Sequence, residues 1–291
     1  MQWILAQFIS GLMSATFLFL MAAGLSVIFG VSRIINISHG AFYMLGAYLL
    51  LTCTRSTTMG VWGFSAVAVL GSILIGCAGA LVEALILRRV YKGGMLLVAL
   101  VTFGILEVTQ EMAKIIWGAE QTAVPRPVGL DGSMVVAGHA IPQYNIALIV
   151  IGCVVALLLW LAVDKTRFGL LIRAAAMDRE TLGTLGVNVP RVFTFTFGLG
   201  TALAGLAGIL AGPMVSISPS MGSTIVIEAF AVVVIGGLGS LPGSLLGAFI
   251  VGEAMAFGLL LWPDAALMLL YVLMAGILVL RPSGLLGAKQ S

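Results

Sequence analysis

Long apolar runs separated by short polar breaks make up most of the chain. An α-helix rises 1.5 Å per residue, so about 20 apolar residues cross the hydrocarbon core of a bilayer. The pattern therefore predicts an all-α polytopic membrane protein with eight or nine membrane segments. Their approximate positions are 8–31, 39–53, 61–87, 95–117, 145–163, 193–212, 224–236, 242–260 and 264–280.

Two of these segments are too short to cross alone. Segment 224–236 ends in a glycine-rich string, and segment 39–53 follows a polar break that begins at Asn36. Short, interrupted segments far apart in sequence are typical of transporter cores, which predicts broken or re-entrant helices. The residues assigned to the broken helix near the string are Gly236, Gly237, Gly239, Pro242 and Gly243. The density of glycines around a central Pro also predicts a chain reversal within protein.

Composition supports a membrane protein. The 291 residues are 61% hydrophobic and 9% charged, whereas a soluble domain carries about a quarter charged residues. The net charge of +3 is scattered over loops, so no nucleic-acid partner is predicted. Little sequence remains for a second domain, so residues 1–291 are predicted to form one transmembrane domain in contact with lipid.

Basic residues set the predicted orientation. Eleven of the 14 lysines and arginines fall in loops that lie on one side if the N-terminus is outside and the C-terminus inside, and these include Arg281 and Lys289 in the tail. The loop 164–191 is then cytoplasmic and the loop 118–144 periplasmic. The inner loop predicts a short helix between Arg173 and Leu185, with Asn188 capping the next span. The outer loop contains a β-like run at 134–136.

Catalytic motifs are missing from the sequence. It has no nucleophile elbow, no zinc-protease pair, no nucleotide phosphate loop and no cluster of metal-ligating residues. The chain is therefore predicted to be no enzyme and to hold no metal or cofactor of its own. If transport is driven by ATP, another subunit binds the nucleotide and its magnesium.

A few polar residues inside the apolar segments are candidates for a translocation path. Glu107, Glu111 and Lys114 share one helix face, where the last two can pair. This face lines the path, locks helices together or lies at the outer membrane interface. Glu253 likewise either lines the path or forms a hydrogen bond between helices. His39, which follows the polar break, caps a half-helix, lines a cavity or is a structural histidine at the interface. The path candidates are Asn36, His39, Glu107, Gln110, Glu111, Lys114 and Glu253.

Three motifs, in the same order, resemble the permease subunits of branched-chain amino-acid ABC importers. They are GLSVIFGVSRIINISHGAFYMLGAY at 24–48, EAFAVVVIGGLGSLPGSLLGAFIVG at 228–252 and RPSGLLG at 281–287. The resemblance implies a bacterial or archaeal inner-membrane importer. Its partners would be a second permease subunit, two cytoplasmic ATPase subunits and a periplasmic substrate-binding protein.

The same resemblance implies that a cytoplasmic loop helix couples the permease to its ATPase. The residues at the matching positions are Arg173, Ala174, Ala175, Ala176, Asp178, Gly183 and Gly186. The three alanines are expected to offer a flat, exposed surface to the ATPase.

Branched-chain amino acids are the leading substrate class, while urea, short amides and aromatic acids are used by similar permeases. A stand-alone secondary transporter that moves a small polar solute through the intramembrane Glu and Lys residues is the main alternative. An intramembrane enzyme ranks behind both, because no nucleophile–base pair is present.

Overall fold

The protein is seen in a computed structural model that describes residues 2–55, 58–136 and 139–287. Six of its helices are long and apolar enough to span a membrane. Over the described residues the elements are α1 Gln2–Ser32, α2 His39–Thr54, α3 Val61–Val82, a π-helix Glu83–Leu87, α4 Arg88–Val90, a 3-10 turn Tyr91–Gly93, α5 Met95–Trp117, β1 Ser133–Val136, β2 His139–Pro142, α6 Gln143–Lys165, α7 Arg167–Met177, α8 Arg179–Thr184, α9 Val189–Ala211, α10 Met221–Gly236, α11 Leu241–Leu261, a 3-10 turn Pro263–Ala265 and α12 Ala266–Leu280.

The predicted all-α polytopic fold is confirmed, and each apolar run contains a helix. The β-like run in the outer loop forms the first strand of an antiparallel hairpin in which Met134 pairs with Ile141. The inner loop holds two helices instead of one, because Asp178 ends α7 and its side chain caps α8. Asn188 caps α9 as predicted, accepting a hydrogen bond from the Arg191 amide at 3.2 Å. Lys289 lies outside the described residues.

The first helix is the centre of the packing. α1 is in contact with α6, α9, α10 and α11, and most of its residues after Phe17 are buried. Small residues allow these helices to approach closely, as is common in lipid. A Cβ on Gly24 would lie 2.5 Å from the Gly200 carbonyl oxygen, and one on Gly200 would lie 2.7 Å from that of Gly24.

The chain breaks between α1 and α2 and re-enters the helix bundle. Arg33, at φ 53°, ends α1, and residues 33–36 are non-helical. The ring nitrogen Nε2 of His39, at the start of α2, lies 3.2 Å from the Met21 carbonyl oxygen of α1. Met21 precedes the end of α1 by 11 residues, so α2 begins about 16 Å from that end. α2 is therefore a half-helix that starts inside the bundle.

A second re-entrant segment joins α9 to α10. After α9 ends at Ala211, residues 212–220 turn back, and Ile217 exchanges two backbone hydrogen bonds with Thr122 of the outer loop, at 2.9 and 3.0 Å. α10 then begins beside the start of α2, where a Cβ on Gly222 would lie 2.6 Å from the Gly40 carbonyl oxygen. The N-termini of two half-helices thus meet inside the bundle.

The glycine string forms the predicted chain reversal. It does not shorten α10, as the prediction of a broken helix at the string implied, because the interruption lies at the other end of that helix, in residues 212–220. Gly236 and Gly243 instead touch across a tight hairpin between α10 and α11, in which Gly237 and Gly239 have φ values of 109° and 80°. Only glycine adopts such angles readily, and Pro242 fits the first turn of α11 because it needs no amide donor there.

The closing motif of the chain caps the same hairpin. The amides of Leu285 and Leu286 donate to the carbonyl oxygens of Ile235 and Gly236, each at 2.9 Å. Carbonyl groups at a helix end lack partners within the helix, and here the C-terminal segment satisfies two of them. The second and third sequence motifs are therefore one structural unit.

Candidate translocation and coupling sites

The helix pairs α1–α2 and α9–α10 are built in the same way, and the chain runs through them in opposite directions. Each consists of a long helix, a re-entrant segment and a half-helix, and the pairs meet through the reciprocal contacts Gly24–Gly200 and Gly40–Gly222. Inverted repeats with broken helices whose N-termini meet inside the membrane are a recurring plan of transport proteins. The positive ends of two helix dipoles are thereby brought together.

Asn36 and His39 organise this junction. Both side chains are buried, and the Asn36 side-chain oxygen accepts a hydrogen bond from the Ser38 hydroxyl at 2.6 Å. The Ile37 amide donates to the Thr102 hydroxyl of α5 at 3.2 Å, which ties the break to a third helix. In this conformation the two residues hold the break in place and do not line an open cavity.

The polar face of α5 lies on the surface of the chain. Glu107, Glu111 and Lys114 are exposed, and the predicted pair is confirmed, with the Lys114 ammonium 2.6 Å from the Glu111 carboxylate. The pair lies within one helix, so it does not lock two helices of this chain together. Gln110 points the other way and is buried.

The same face of α5 continues towards the N-terminus of the helix. Leu100, Gly104, Glu107, Glu111 and Lys114 follow one another at alternating spacings of four and three residues. We call these five residues the α5 seam. This spacing is the heptad pattern by which one helix packs along another. A Cβ on Gly104 would meet no atom within 4 Å.

Glu253 lies in a different place. It projects from α11 towards α1, and a Cβ on Gly11 would lie 2.5 Å from its carboxyl carbon. Both carboxylate oxygens are buried and have no hydrogen-bond partner among the described residues. One turn away, the Gln7 side-chain amide donates to the Ala256 carbonyl oxygen. Glu253 thus belongs to the α1–α11 contact and is not part of the α5 seam.

The coupling candidates lie on α7 and α8 or directly beside them, and the alanine triplet does not form one exposed surface. Ala175 is buried in a small cluster with Val31 and Phe193, because the amphipathic α7 turns this side towards α1 and α9. Ala174 and Ala176 are half-buried, and the Arg33 guanidinium donates to the Ala176 carbonyl oxygen at 3.3 Å. The triplet therefore holds α7 against the first break of the chain.

Other residues form the outer surface of this segment. Met177 and Leu185 are 85% and 74% exposed. Side-chain hydrogen bonding from Thr181, with further bonds from backbone amides, holds the pKa of Asp178 below its usual range and keeps the α8 cap charged. Gly183 and Gly186 have open space around them, and Gly186 has a φ of 81°. Arg173 belongs to a cleft behind α7.

Sequence reasoning missed a buried carboxylate where α3 ends and α9 begins. Glu83 is fully buried in the π-helix, and its Oε2 accepts hydrogen bonds from Arg88 at 3.1 Å and from the Thr194 hydroxyl at 2.6 Å. Arg88 also donates to the Pro190 carbonyl oxygen at the start of α9. The separation of five between Glu83 and Arg88 is not a usual helical pairing, and the wider turn of the π-helix makes the contact possible.

Comparison with known proteins agrees with this architecture. Residues 7–278 match the family model described as "Branched-chain amino acid transport system / permease component". The high-affinity branched-chain amino acid transport system permease protein BraD of Pseudomonas aeruginosa is 29% identical over 298 residues, which cover 98% of this chain and 96% of the relative. LivH of Escherichia coli K12, with the same description, is 28% identical over 99% of this chain and 97% of its own. No solved structure matched.

The fold and these relatives define a multi-pass membrane permease, and the relatives are named as transport permeases. The chain belongs to the family of branched-chain amino acid transport-system permease components. The stand-alone secondary transporter is not favoured, because the relatives are named as permease proteins of transport systems.

Proposed function

We propose that this chain is the membrane-spanning subunit of an ATP-driven importer of branched-chain amino acids in the inner membrane of a bacterium or archaeon. The full-length similarity to the Pseudomonas and Escherichia permeases carries the proposal. A probable branched-chain amino acid transport permease protein of Methanocaldococcus jannaschii, 28% identical over 81% of this chain and 75% of its own, supports the same substrate class in an archaeon.

In this proposal, the α5 seam faces a second permease subunit, identical or homologous, and the substrate passes along their interface. Charged side chains facing lipid cost about 3 kcal/mol each near the bilayer centre, so Glu107, Glu111 and Lys114 need protein or water around them. A partner helix packed along the seam would place its own polar face opposite theirs. The open space at Gly104 would then accommodate the partner's side chains.

The N-terminal junction of α2 and α10 lies just behind the seam. Leu106 of α5 approaches Gly222, and a Cβ there would lie 3.4 Å from its methyl group. We infer that movement of α5 brings the positive helix ends towards the path, where they would attract the carboxylate of an amino acid. Substrate selection would rest mainly with a periplasmic binding protein.

ATP and magnesium would be bound by two cytoplasmic ATPase subunits that dock on α7 and α8. Met177 and Leu185 offer an apolar contact, and the buried side of α7 reaches Arg33 at the first break. ATPase movement would thus pass to the α1–α2 break through a short, packed connection.

Replacing Met177 by Asp should abolish ATPase binding in a pull-down from detergent. Leu238→Asp, an exposed change on the α10–α11 turn, is the matched control and should bind normally.

The test of the function is uptake of radiolabelled leucine into proteoliposomes. This chain would be reconstituted with the permease, ATPase and binding protein encoded beside it. Uptake should require ATP, the ATPase and the binding protein, and urea should not compete. Leucine uptake by this chain alone, driven by an ion gradient, would contradict the proposal and restore the secondary transporter.

A further inference from the structure

A cleft of about 410 Å³ lies between α1, α6 and the start of α11, and α7 closes its inner end. Its walls are mainly apolar and include Phe19, Val27, Ala156, Leu159, Trp160 and Leu245. The cleft is separate from the α5 seam and from the α2–α10 junction, because none of their residues line it.

The dimensions of the cleft suit a hydrocarbon chain. It extends along α1 from Gly30 to Phe19, which are 11 residues or about 16 Å apart. That length is close to the length of a fatty acyl chain. Trp160 and Leu245 at its rims are each 46% exposed, so the cleft is accessible from the surface that faces the bilayer. An apolar groove left empty in a membrane would lose dispersion contacts along its whole length.

Charged groups occur only at the inner end. Arg173 donates to the Val163 carbonyl oxygen and lies 3.5 Å from the Asp164 carboxylate, with its side chain 44% exposed. The Lys165 ammonium lies 5.4 Å from the centre of the Trp160 ring, which forms part of the rim. Two cations and one carboxylate therefore surround the mouth, at the level where the apolar helix α6 ends.

We propose that this cleft binds one anionic glycerophospholipid of the cytoplasmic leaflet. An acyl chain fills the apolar groove beside α1, and the phosphate group lies between Arg173 and Lys165. Basic pockets between transmembrane helices on the cytoplasmic side bind anionic headgroups, while Trp and Lys side chains prefer the membrane interface. A zwitterionic lipid would fill the groove equally well but would gain less from the two cations.

The lipid would also support α7. Ile172, Arg173 and Ala176 of α7 form the inner wall, so an occupied cleft packs against the side of α7 that holds it to α1. The site thereby connects the composition of the inner leaflet with the position of the segment proposed to meet the ATPase. The lipid site itself does not depend on the proposed substrate.

Native mass spectrometry of the full chain, released from nanodiscs, tests the proposal. The nanodiscs contain equal amounts of phosphatidylglycerol and phosphatidylcholine with the same acyl chains. The wild type should retain one phosphatidylglycerol per chain in preference to phosphatidylcholine. Arg173→Gln should reduce that preference about fivefold, since one basic residue at the surface contributes about this much to anionic lipid binding. Arg191→Gln, an exposed change at the start of α9, is the matched control and should leave the preference unchanged.

A second pair of variants tests the groove. Ala156→Phe fills it from α6 and should lose both lipids, whereas Val154→Phe, exposed on the same helix, should behave as wild type. Leu245→Trp fills the groove from the opposite wall and replaces Ala156→Phe if that variant is not monodisperse. Equal retention of both lipids by the wild type, wild-type preference in Arg173→Gln, or lipid retention in the filled variants would overturn the proposal. Release of the lipid by added leucine would also overturn it, because the cleft would then belong to the substrate.

Discussion

The glutamates of this permease lie in very different environments, although their side chains are identical. Glu83 is fully buried and accepts two hydrogen bonds, and Glu111 is 62% exposed on a helix surface. Glu253 is half-buried, with its carboxylate oxygens buried against Gly11. A buried carboxylate and its hydrogen-bond partners lie in a low-dielectric environment, where their interaction is stronger than in water. An exposed ion pair, by contrast, contributes roughly 0–1 kcal/mol to the stability of the fold. Stability and transport should therefore depend on different acidic residues.

Replacing Glu83 by Ala should destabilise the protein by about 1–3 kcal/mol, because Thr194 and Arg88 each lose an acceptor. The loss of stability is smaller than that caused by removing one partner of a fully buried ion pair, because Arg88 is half exposed and reaches water. Thermal unfolding in detergent measures the change, and Glu111→Ala is the control. That variant should unfold almost as the wild type does but lose leucine uptake if the seam lines the path. An unfolding temperature lowered as much by Glu111→Ala as by Glu83→Ala would refute the distinction.

At the scale of elements, the fold depends on helices that approach to backbone contact. α2 and α10 meet at Gly40 and Gly222, where the nearest atoms belong to the opposite backbone. A backbone carbonyl cannot rotate away as a side chain does, so an added methyl group must separate the helices. Glycine is common in membrane helices, but at this junction it is required because two backbones are in direct contact.

Gly222→Ala should reduce the yield of folded protein, because overpacking of a fitted contact costs about 1–3 kcal/mol. Fluorescence-detected size-exclusion chromatography and thermal unfolding measure the effect. Gly276→Ala in α12 is the control, since a Cβ there meets no atom within 4 Å and alanine favours the helix. Wild-type stability of Gly222→Ala would mean that the half-helices are not held in contact.

The surface of the described residues includes an apolar part that suits lipid and a polar stripe along α5. The α5 seam is the part that a bilayer tolerates least. Assembly with a second permease subunit would cover this stripe, and the segment α7–α8 at one end of the bundle would remain free for ATPase subunits.

Gly104→Trp should prevent assembly of the permease pair while leaving this chain folded. The indole enters open space in the single chain but would collide with a subunit packed on the seam. Cross-linking in membranes and light scattering in detergent measure the assembly. Gly276→Trp places the same side chain on an exposed face of α12 and should assemble normally. Assembly of Gly104→Trp at wild-type levels would show that another face forms the interface.

The orientation predicts which side of the membrane each loop occupies. In a chain whose cysteines at 53, 77 and 153 have been replaced, Arg179→Cys should react with a membrane-impermeant maleimide only from the cytoplasmic side. Asp131→Cys should react only from outside. Both positions are exposed, so access depends on sidedness alone. Labelling of position 179 in intact cells would show that the topology is the inverse of the predicted one.

The sequence by itself determined the class of protein and the position of almost every helix. Apolar length and polar breaks are local properties, and a helix in lipid satisfies its own backbone, so spans follow directly from composition. The same reasoning identified α2 and α10 as interrupted helices and predicted the Asn188 cap and the Glu111–Lys114 pair.

Only the tertiary structure decided how these elements meet. The sequence predicted both a broken helix and a chain reversal at the glycine string, and only the reversal is found there, because the closing segment of the chain, about 50 residues further on, supplies its caps. It assigned the alanine triplet to an outer surface, but Ala175 is buried because α7 folds back onto α1 and α9. Glu83 remained unnoticed because a π-helix sets its pairing with Arg88. Each of these outcomes depends on contacts between residues distant in sequence or on a local change of helix geometry, and neither is encoded in hydrophobic spacing.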